Sequence, residues 1–229
     1  MGKQLSASIV ASRTVHESAN ALFKLRNYTV QFEKHDGSTA VEERLVFERG
    51  ATVGVLAYDP LRDKVILVNE IRPAMLVNGD NPFNPALPAG IVDPGEHALT
   101  AATRELKEET GLELKKLVLI HPGAYVSPGG TSEKLALVLA LVDSSKATNG
   151  IFGKESEGES IKTEVLSSRD FIARAEQGNL YDLKTVTMAF WLAAHRKELR
   201  PNFLSRAFSR VTNSLKKLTG KHHGQSPKV

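Results

Sequence analysis

The 229-residue sequence contains no cysteine, which excludes disulfide bridges, zinc–thiolate sites and thiol catalysis and favours a reducing compartment. It also lacks a long hydrophobic run. The longest apolar stretch, residues 135–142, is far shorter than the roughly 20 residues that a helix needs to cross a bilayer. The first residues do not combine a basic segment with a long apolar one, as a secretion signal does. We therefore expect a cytoplasmic protein.

Acidic residues are absent from the end of the chain. Residues 201–229 contain six of the 30 basic residues and none of the 26 acidic ones, so the rest of the chain is slightly acidic despite a net charge of +4. Because no basic stripe runs through the body, we expect no nucleic-acid partner. Apolar residues in the tail recur at helical intervals, which predicts a basic amphipathic helix. We expect it to pack on the protein or on a second copy, with contact to an anionic membrane as the alternative.

The order of elements predicts an α+β fold. Strands are predicted for residues 28–32, 44–48, 52–58, 65–70, 117–121, 134–142 and 164–167, where β-branched and aromatic residues concentrate. Helices are predicted for residues 97–110, 168–177 and 183–199, and the first of them ends before Gly111. Residues 144–160 and the end of the chain from residue 219 are rich in polar residues and are predicted to be loose.

A cluster of carboxylates falls within the first predicted helix. Glu105, Glu108 and Glu109 are spaced by three and four residues, which predicts that they share a face opposite the apolar Leu99 and Ala102. Like charges in this arrangement repel each other, and a divalent cation would relieve the repulsion. Ligands that are all oxygen atoms favour Mg²⁺, with Mn²⁺ as the alternative. A solvated acidic helix face is the other interpretation.

The wider pattern around this cluster favours the metal. Residues 90–112 match G-x5-E-x7-R-E-U-x-E-E-x-G-U at every specified position, where U is an apolar residue. This segment resembles the signature of the Nudix hydrolases. The resemblance implies an α/β/α sandwich on a mixed sheet and metal-assisted attack of water on a nucleoside diphosphate that is linked to another group. It implies that the metal is held by Glu105, Glu109, Glu108 and the backbone carbonyl of Ala89, that Arg104 and Glu108 take part in catalysis, and that Glu96 supports them.

The flanking segments resemble one branch of that family, the ADP-ribose pyrophosphatases. Residues 127–133 read Ser-Pro-Gly-Gly-Thr-Ser-Glu, with Pro128 sixteen residues after Leu112. Residues 47–50, 69–72 and 155–161 have the order and spacing of that branch, so the resemblance covers roughly residues 12–200. It implies hydrolysis of ADP-ribose to AMP and ribose 5-phosphate. GDP-mannose, another nucleoside diphosphate sugar and a non-catalytic nucleotide sensor remain open alternatives.

The resemblance to this branch also implies roles for individual residues. Arg72 would contact the substrate phosphates, and a surface ion pair is its alternative. Arg44 and Glu48 would reach the adenine across a dimer interface, and Glu133 would contact the substrate. Glu157 is the best positional match for a catalytic base in a mobile loop, with Glu159 next. A flexible acidic linker is the other interpretation of that loop.

These expectations divide the chain into three parts. Residues 1–50 form a β-rich segment used in dimerisation, residues 51–200 form the Nudix domain, and residues 201–229 form the basic extension. The expected assembly is a homodimer.

Overall fold

The structure is a computed structural model that describes residues 5–19, 23–148, 150–154, 156 and 158–200. The chain divides into two compact units. The first comprises Met1–Ala51 and Gly123–Leu135, and the second comprises Thr52–Pro122 and Ala136–Val229. The helix predicted for the basic tail lies outside the described residues.

The first unit contains a three-stranded antiparallel sheet. Its strands are β1 (Ala7–Glu17), β2 (Lys24–Glu33) and β3 (Thr39–Glu48), in the order β1-β2-β3. The strands predicted at 28–32 and 44–48 are confirmed as the second half of β2 and the end of β3. A tight turn joins the two, with Gly37 at a φ of 84° and the Asp36 carboxylate accepting the Ser38 N–H at 2.9 Å.

The second sheet has seven strands. They are β4 (Ala51–Asp59), β5 (Lys64–Asn69), β6 (Ala89–Ile91), β7 (Lys116–Tyr125), β8 (Lys134–Leu141), β9 (Ile151–Phe152) and β10 (Ile161–Ser167). The order is β7-β8-β4-β5-β10-β9, and the short β6 pairs with β4.

Within the described residues, four α-helices and a 3₁₀ turn accompany this sheet. They are α1 (Pro73–Val77), α2 (Ala98–Thr110), α3 (Ser168–Glu176), α4 (Leu183–Leu199) and the turn Ser144–Lys146. None of the helices in the described part of the chain is both long and apolar enough to span a membrane.

The core lies on both faces of the second sheet. One face packs against α2 through Val53, Val55, Ala57, Ala102, Leu106, Val138 and Ala140, all of which are buried. The alternate residues of the same strands, such as Leu56 and Leu139, are equally buried. The helices α3 and α4 contribute Phe171, Met188 and Leu192, which are fully buried as well. Because both faces are covered, the predicted α+β sandwich is confirmed.

The three predicted helices are found where the sequence placed them. Helix α2 begins after His97, whose Nδ1 accepts the Leu99 N–H at 3.2 Å, and it ends at Gly111, which has a φ of 68°. Helices α3 and α4 match their predicted ranges to within one residue. The prediction that residues 144–160 are loose is wrong for part of that range. This range contains the 3₁₀ turn Ser144–Lys146 and the strand β9. The strand forms because Phe152 pairs with Ile161 of β10.

An ionic contact ties the β4–β5 turn to the helices. Asp63, at a φ of 57°, accepts hydrogen bonds from Arg196 Nε at 2.8 Å, the Ser168 hydroxyl at 2.6 Å and the Tyr58 hydroxyl at 2.8 Å. These bonds hold the pKa of Asp63 well below its usual range, with the Arg196 guanidinium as the largest cause. One carboxylate thus connects the sheet to the start of α3 and the end of α4.

We expect Asp63→Asn to lower the free energy of unfolding at pH 7 by about 2 kcal/mol, since it removes a charge-assisted contact. Asparagine tolerates the left-handed backbone, so the change isolates the charge. Because the pKa of Asp63 is depressed in the folded protein, its contribution is complete above the unfolded pKa of about 3.9 and is lost as the pH falls. Urea unfolding should show a smaller difference from wild type at pH 3 than at pH 7. The exposed Asp80→Asn is the matched control, and a difference for Asp63→Asn that stays constant with pH would contradict this account.

Candidate active site

The carboxylates of α2 lie closer to the core than the sequence predicted. Glu109 is 3% exposed and Glu105 is 8% exposed, whereas Glu108 lies nearer the surface. The expectation that all three face away from the apolar side is wrong. Glu109 follows Ala102 by seven residues, about two turns of a 3.6-residue helix, so the two point in nearly the same direction.

Glu109 is held by the backbone of β6. The Ala89 N–H donates to its Oε2 at 3.1 Å. The segment before β6 is itself fixed, because the Leu87 N–H donates to the buried Thr185 hydroxyl at 3.0 Å and the Pro88 carbonyl accepts the Val55 N–H at 2.8 Å. Burial, with the nearby charge of Glu105, raises the pKa of Glu109 to about 8. In this environment a nearby positive charge would stabilise the ionised form of the Glu109 carboxyl.

Arg104 gathers the remaining acidic groups of the segment. Its Nη1 lies 2.6 Å from Glu105 Oε1 and 3.3 Å from Glu108 Oε2, and its Nη2 lies 3.0 Å from Glu96 Oε2. Nη2 also donates to the Ile91 carbonyl of β6 at 2.9 Å. The guanidinium therefore connects β6, the turn before α2 and the helix itself, and it orients the carboxylates that it contacts.

Gly90 explains how Glu105 fits against β6. A Cβ atom at this position would overlap the Glu105 carboxylate. Burial raises the pKa of Glu105, and the Arg104 guanidinium acts in the opposite direction. The glycine that opens the sequence signature is thus required by close packing of a carboxylate on the backbone.

A second ion pair lies at the end of β5, in the same unit. Arg72 Nη1 is 2.9 Å from Glu70 Oε2, and the positive charge of Arg72 lowers the pKa of Glu109 while Glu70 raises it. Burial raises the pKa of Glu70, and Glu159 raises it further. Arg72 and Glu70 therefore lie close enough to act on the charge of Glu109, and Glu159 acts in turn on Glu70. Glu70 was not predicted from the sequence, where its one signal is its place two residues before Arg72 in the segment 69–72.

The predicted catalytic loop is described in part. Glu159 Oε2 accepts the Lys154 N–H at 2.8 Å, and the Glu159 N–H returns a bond to the Lys154 carbonyl at 3.2 Å. Glu157 lies outside the described residues. Lys154 was also missed by the sequence analysis, although its Nζ lies 3.0 Å from Glu108 Oε2. Because Glu108 lies 46 positions earlier in the chain, no local sequence pattern around Lys154 indicates this contact.

Three predicted substrate residues belong to the first unit. Arg44 and Glu48 lie on β3, and Glu133 lies just before β8. Each has a local ionic or hydrogen-bonding partner: Glu42 for Arg44, the Tyr28 hydroxyl for Glu48, and Arg49 Nε at 3.4 Å for Glu133. Their roles toward a substrate stay predictions.

The donor set on α2 fits a hard divalent cation. The candidate ligands are all oxygen atoms, and two of them come from glutamates that are buried next to each other. Within the described ranges, however, no three acidic or histidine side chains converge as a ready metal site. In this arrangement Arg104 provides the positive charge that Glu105 and Glu108 need.

Comparison with known proteins decides the family. The model of the NUDIX domain matches residues 48–184, which is more than half of the chain. The chain belongs to the Nudix family. The match contains the whole of α2 and both β5 and β6, so the Nudix domain includes the site described above.

The relatives of this Nudix protein include ADP-ribose pyrophosphatases and a GDP-mannose pyrophosphatase. It is 32% identical over 193 residues to the ADP-ribose pyrophosphatase of Escherichia coli K12, covering 84% of this chain and 90% of the relative. The ADP-ribose pyrophosphatase of Haemophilus influenzae is 31% identical over 87% of this chain and 92% of its own length. The GDP-mannose pyrophosphatase of Cronobacter sakazakii is 29% identical over 80% of this chain and 93% of its own length.

We expect Gly90→Ala to fold and to lose cation affinity. The added methyl group overlaps the far end of the flexible Glu105 side chain, which can move away at small cost to stability but then leaves its place beside β6. The dissociation constant for Mn²⁺, measured by electron paramagnetic resonance of the free ion, should rise by about tenfold or more, as after loss of a supporting contact at a metal site. Gly123→Ala is the control, because a Cβ there meets Lys134 Cβ at an ordinary 3.7 Å. Equal Mn²⁺ affinity in the two variants would show that Glu105 is not a ligand.

Proposed function

We propose that this Nudix hydrolase cleaves the pyrophosphate bond of ADP-ribose, giving AMP and ribose 5-phosphate, with Mg²⁺ or Mn²⁺ as cofactor. The observation that carries the proposal is the pair of buried glutamates on α2, Glu105 and Glu109, held against β6 with the cation Arg72 close by. The two ADP-ribose pyrophosphatases that share about a third of their residues with this chain over most of their length support the substrate.

The carboxylates of Glu105, Glu109 and Glu108 would hold the cation, together with the Ala89 carbonyl. When bound, the cation neutralises phosphate oxygens and lowers the pKa of a water molecule at the site. The chain's own contribution is orientation. The Ala89 N–H fixes Glu109, and Arg104 fixes Glu105 and Glu108 through the contacts described above.

Arg72 would bind the diphosphate. Its guanidinium offers paired N–H donors that match phosphate oxygens, and its side chain is one-third exposed, so a substrate can reach it. The pair with Glu70 holds the guanidinium in place until the substrate arrives. Binding energy gathered here aligns the scissile bond with the carboxylate cluster.

A loop glutamate would take the proton from the attacking water. The water oxygen then bonds to phosphorus as the bond from phosphorus to the bridging oxygen breaks. Glu159 already accepts the Lys154 N–H, so its carboxylate serves to brace the loop. This contact favours Glu157 as the base, in agreement with its position in the sequence pattern.

The GDP-mannose pyrophosphatases among the relatives favour a second candidate substrate. The reaction would follow the same course and release GMP and mannose 1-phosphate. A nucleotide-sensing module without catalysis is disfavoured, because every carboxylate of the signature is present.

Product analysis by chromatography tests the proposal. The full chain with Mg²⁺ is incubated separately with ADP-ribose, ADP-glucose, GDP-mannose, NADH, a diadenosine polyphosphate and a deoxynucleoside triphosphate. We expect AMP and ribose 5-phosphate from ADP-ribose to form fastest. Glu109→Gln, the matched control, should lower kcat by roughly a thousandfold, since an amide replaces the carboxylate that would hold the cation. Faster cleavage of GDP-mannose would show that GDP-mannose, and not ADP-ribose, is the preferred substrate. If no substrate is cleaved with any divalent metal, the proposed activity is wrong.

The base assignment predicts a contrast between two variants. Glu157→Gln should lower kcat by about a hundredfold or more with little change in KM, because a base acts in the transition state. Glu159→Gln keeps an oxygen acceptor for the Lys154 N–H and should retain most of kcat. The reverse result would assign the base to Glu159.

We also propose that the protein is a cytoplasmic homodimer that associates through residues 1–50. Apolar side chains on β1 and β3 are more than half exposed, among them Ile9, Val41 and Leu45, and burial against a second copy would remove them from water. Sedimentation equilibrium of the full chain tests this, and a mass near that of one 25.0-kDa chain would contradict it.

A further inference from the structure

Lys154 delivers a positive charge to the carboxylate cluster of α2, which we define as Glu105, Glu108 and Glu109. Its Nζ lies 3.0 Å from Glu108 Oε2. Arg104 Nη1 donates to the same oxygen at 3.3 Å. One oxygen of a candidate metal ligand therefore already faces two cations of the protein.

The backbone around Lys154 is anchored to α2. The Gly153 N–H donates to the Glu108 carbonyl at 3.1 Å. The Phe152 ring lies against Gly111, where a Cβ atom would come within 2.7 Å of Phe152 Cε1. With its own N–H held by Glu159, Lys154 starts from a fixed position, so its ammonium group is aimed at the helix end.

The charge of Lys154 reaches beyond Glu108. It lowers the pKa of Glu105 and of Glu96, in each case together with the stronger effect of Arg104. The ammonium therefore acts on Glu105 as well as on Glu108, as a cation bound at the cluster would.

The Lys154–Glu108 ion pair is exposed enough for a cation from solution to replace the ammonium group. The Lys154 side chain is 37% exposed and that of Glu108 is 27% exposed. Water screens an ion pair of this kind, which makes it weak. A divalent cation carries twice the charge and coordinates the oxygen directly, so it can replace the ammonium.

We propose that the Lys154 ammonium competes with the divalent cation for Glu108 and so sets the metal affinity of the site. This inference rests on the proposed function, because it takes the carboxylate cluster to be the metal site. The competition is reciprocal. Metal bound at the cluster weakens the Lys154–Glu108 pair by the same factor by which Lys154 weakens metal binding.

Binding of Mn²⁺ to the full chain, followed by electron paramagnetic resonance at low ionic strength, tests the competition without relying on activity. Lys154→Met keeps the length of the side chain and removes the charge. Its dissociation constant for Mn²⁺ should fall about five- to tenfold, the effect of a unit charge within about 6 Å of a divalent ion in water. The gain should shrink as salt is added. Lys154→Arg keeps the charge and should bind Mn²⁺ like wild type.

The same helix offers a matched control. Lys107 pairs with Glu113 at 2.5 Å on the exposed side of α2, so Lys107→Met should leave the affinity for Mn²⁺ unchanged. An equal gain in both variants would overturn the inference in favour of a general charge effect. Unchanged affinity in Lys154→Met overturns it as well. If Glu109→Gln still abolishes binding in that case, the proposed function stands, whereas no Mn²⁺ binding to wild type overturns both.

Discussion

Glu105 and Glu109 stand one turn apart on the buried side of α2, and two negative charges placed in this way repel each other where water cannot screen them. A folded protein keeps such a pair when one carboxyl holds a proton, as the raised pKa of Glu109 favours, or when its surroundings provide donors and positive charge. Here the donor is the Ala89 N–H and the nearest cation is Arg104. The geometry of β6, of the turn before α2 and of the helix can be understood as the means of meeting this requirement.

The neighbouring elements provide these donors and positive charges in different ways. The strand β6 comes close enough to present a backbone N–H because Gly90 has no side chain. Glu96 keeps the Arg104 guanidinium in place from the preceding turn. The segment after β9 adds Lys154 from the far end of the helix. The cations of the chain thereby balance the carboxylates, and the exposed pair of Lys154 with Glu108 is the contact that we propose gives way to a metal.

Much of this fold could be predicted from local patterns in the sequence. The range of α2 followed from its apolar spacing and from Gly111, whose left-handed backbone ends the helix. The strand β1 was not predicted, because every one of its residues is exposed and burial therefore imposes no alternation. The burial of Glu109 was also missed. From the sequence alone, a carboxylate at that position is predicted to lie on the surface. Its burial depends on the packing of β6, and contacts such as that of Ala89 with Glu109 join residues far apart in the chain.

The family relationship and the physical account meet at the same residues. The signature of the Nudix family specifies two glycines, an arginine and four glutamates, and in this chain each of them has a contact that explains it. The most direct test is anomalous diffraction from crystals that contain Mn²⁺ and an ADP-ribose analogue with a methylene group between the phosphorus atoms. The account predicts Mn²⁺ coordinated by the carboxylates of Glu105 and Glu109, next to the diphosphate. Mn²⁺ bound elsewhere, with Glu105 still paired to Arg104 and Glu109 still on the Ala89 N–H, would contradict it.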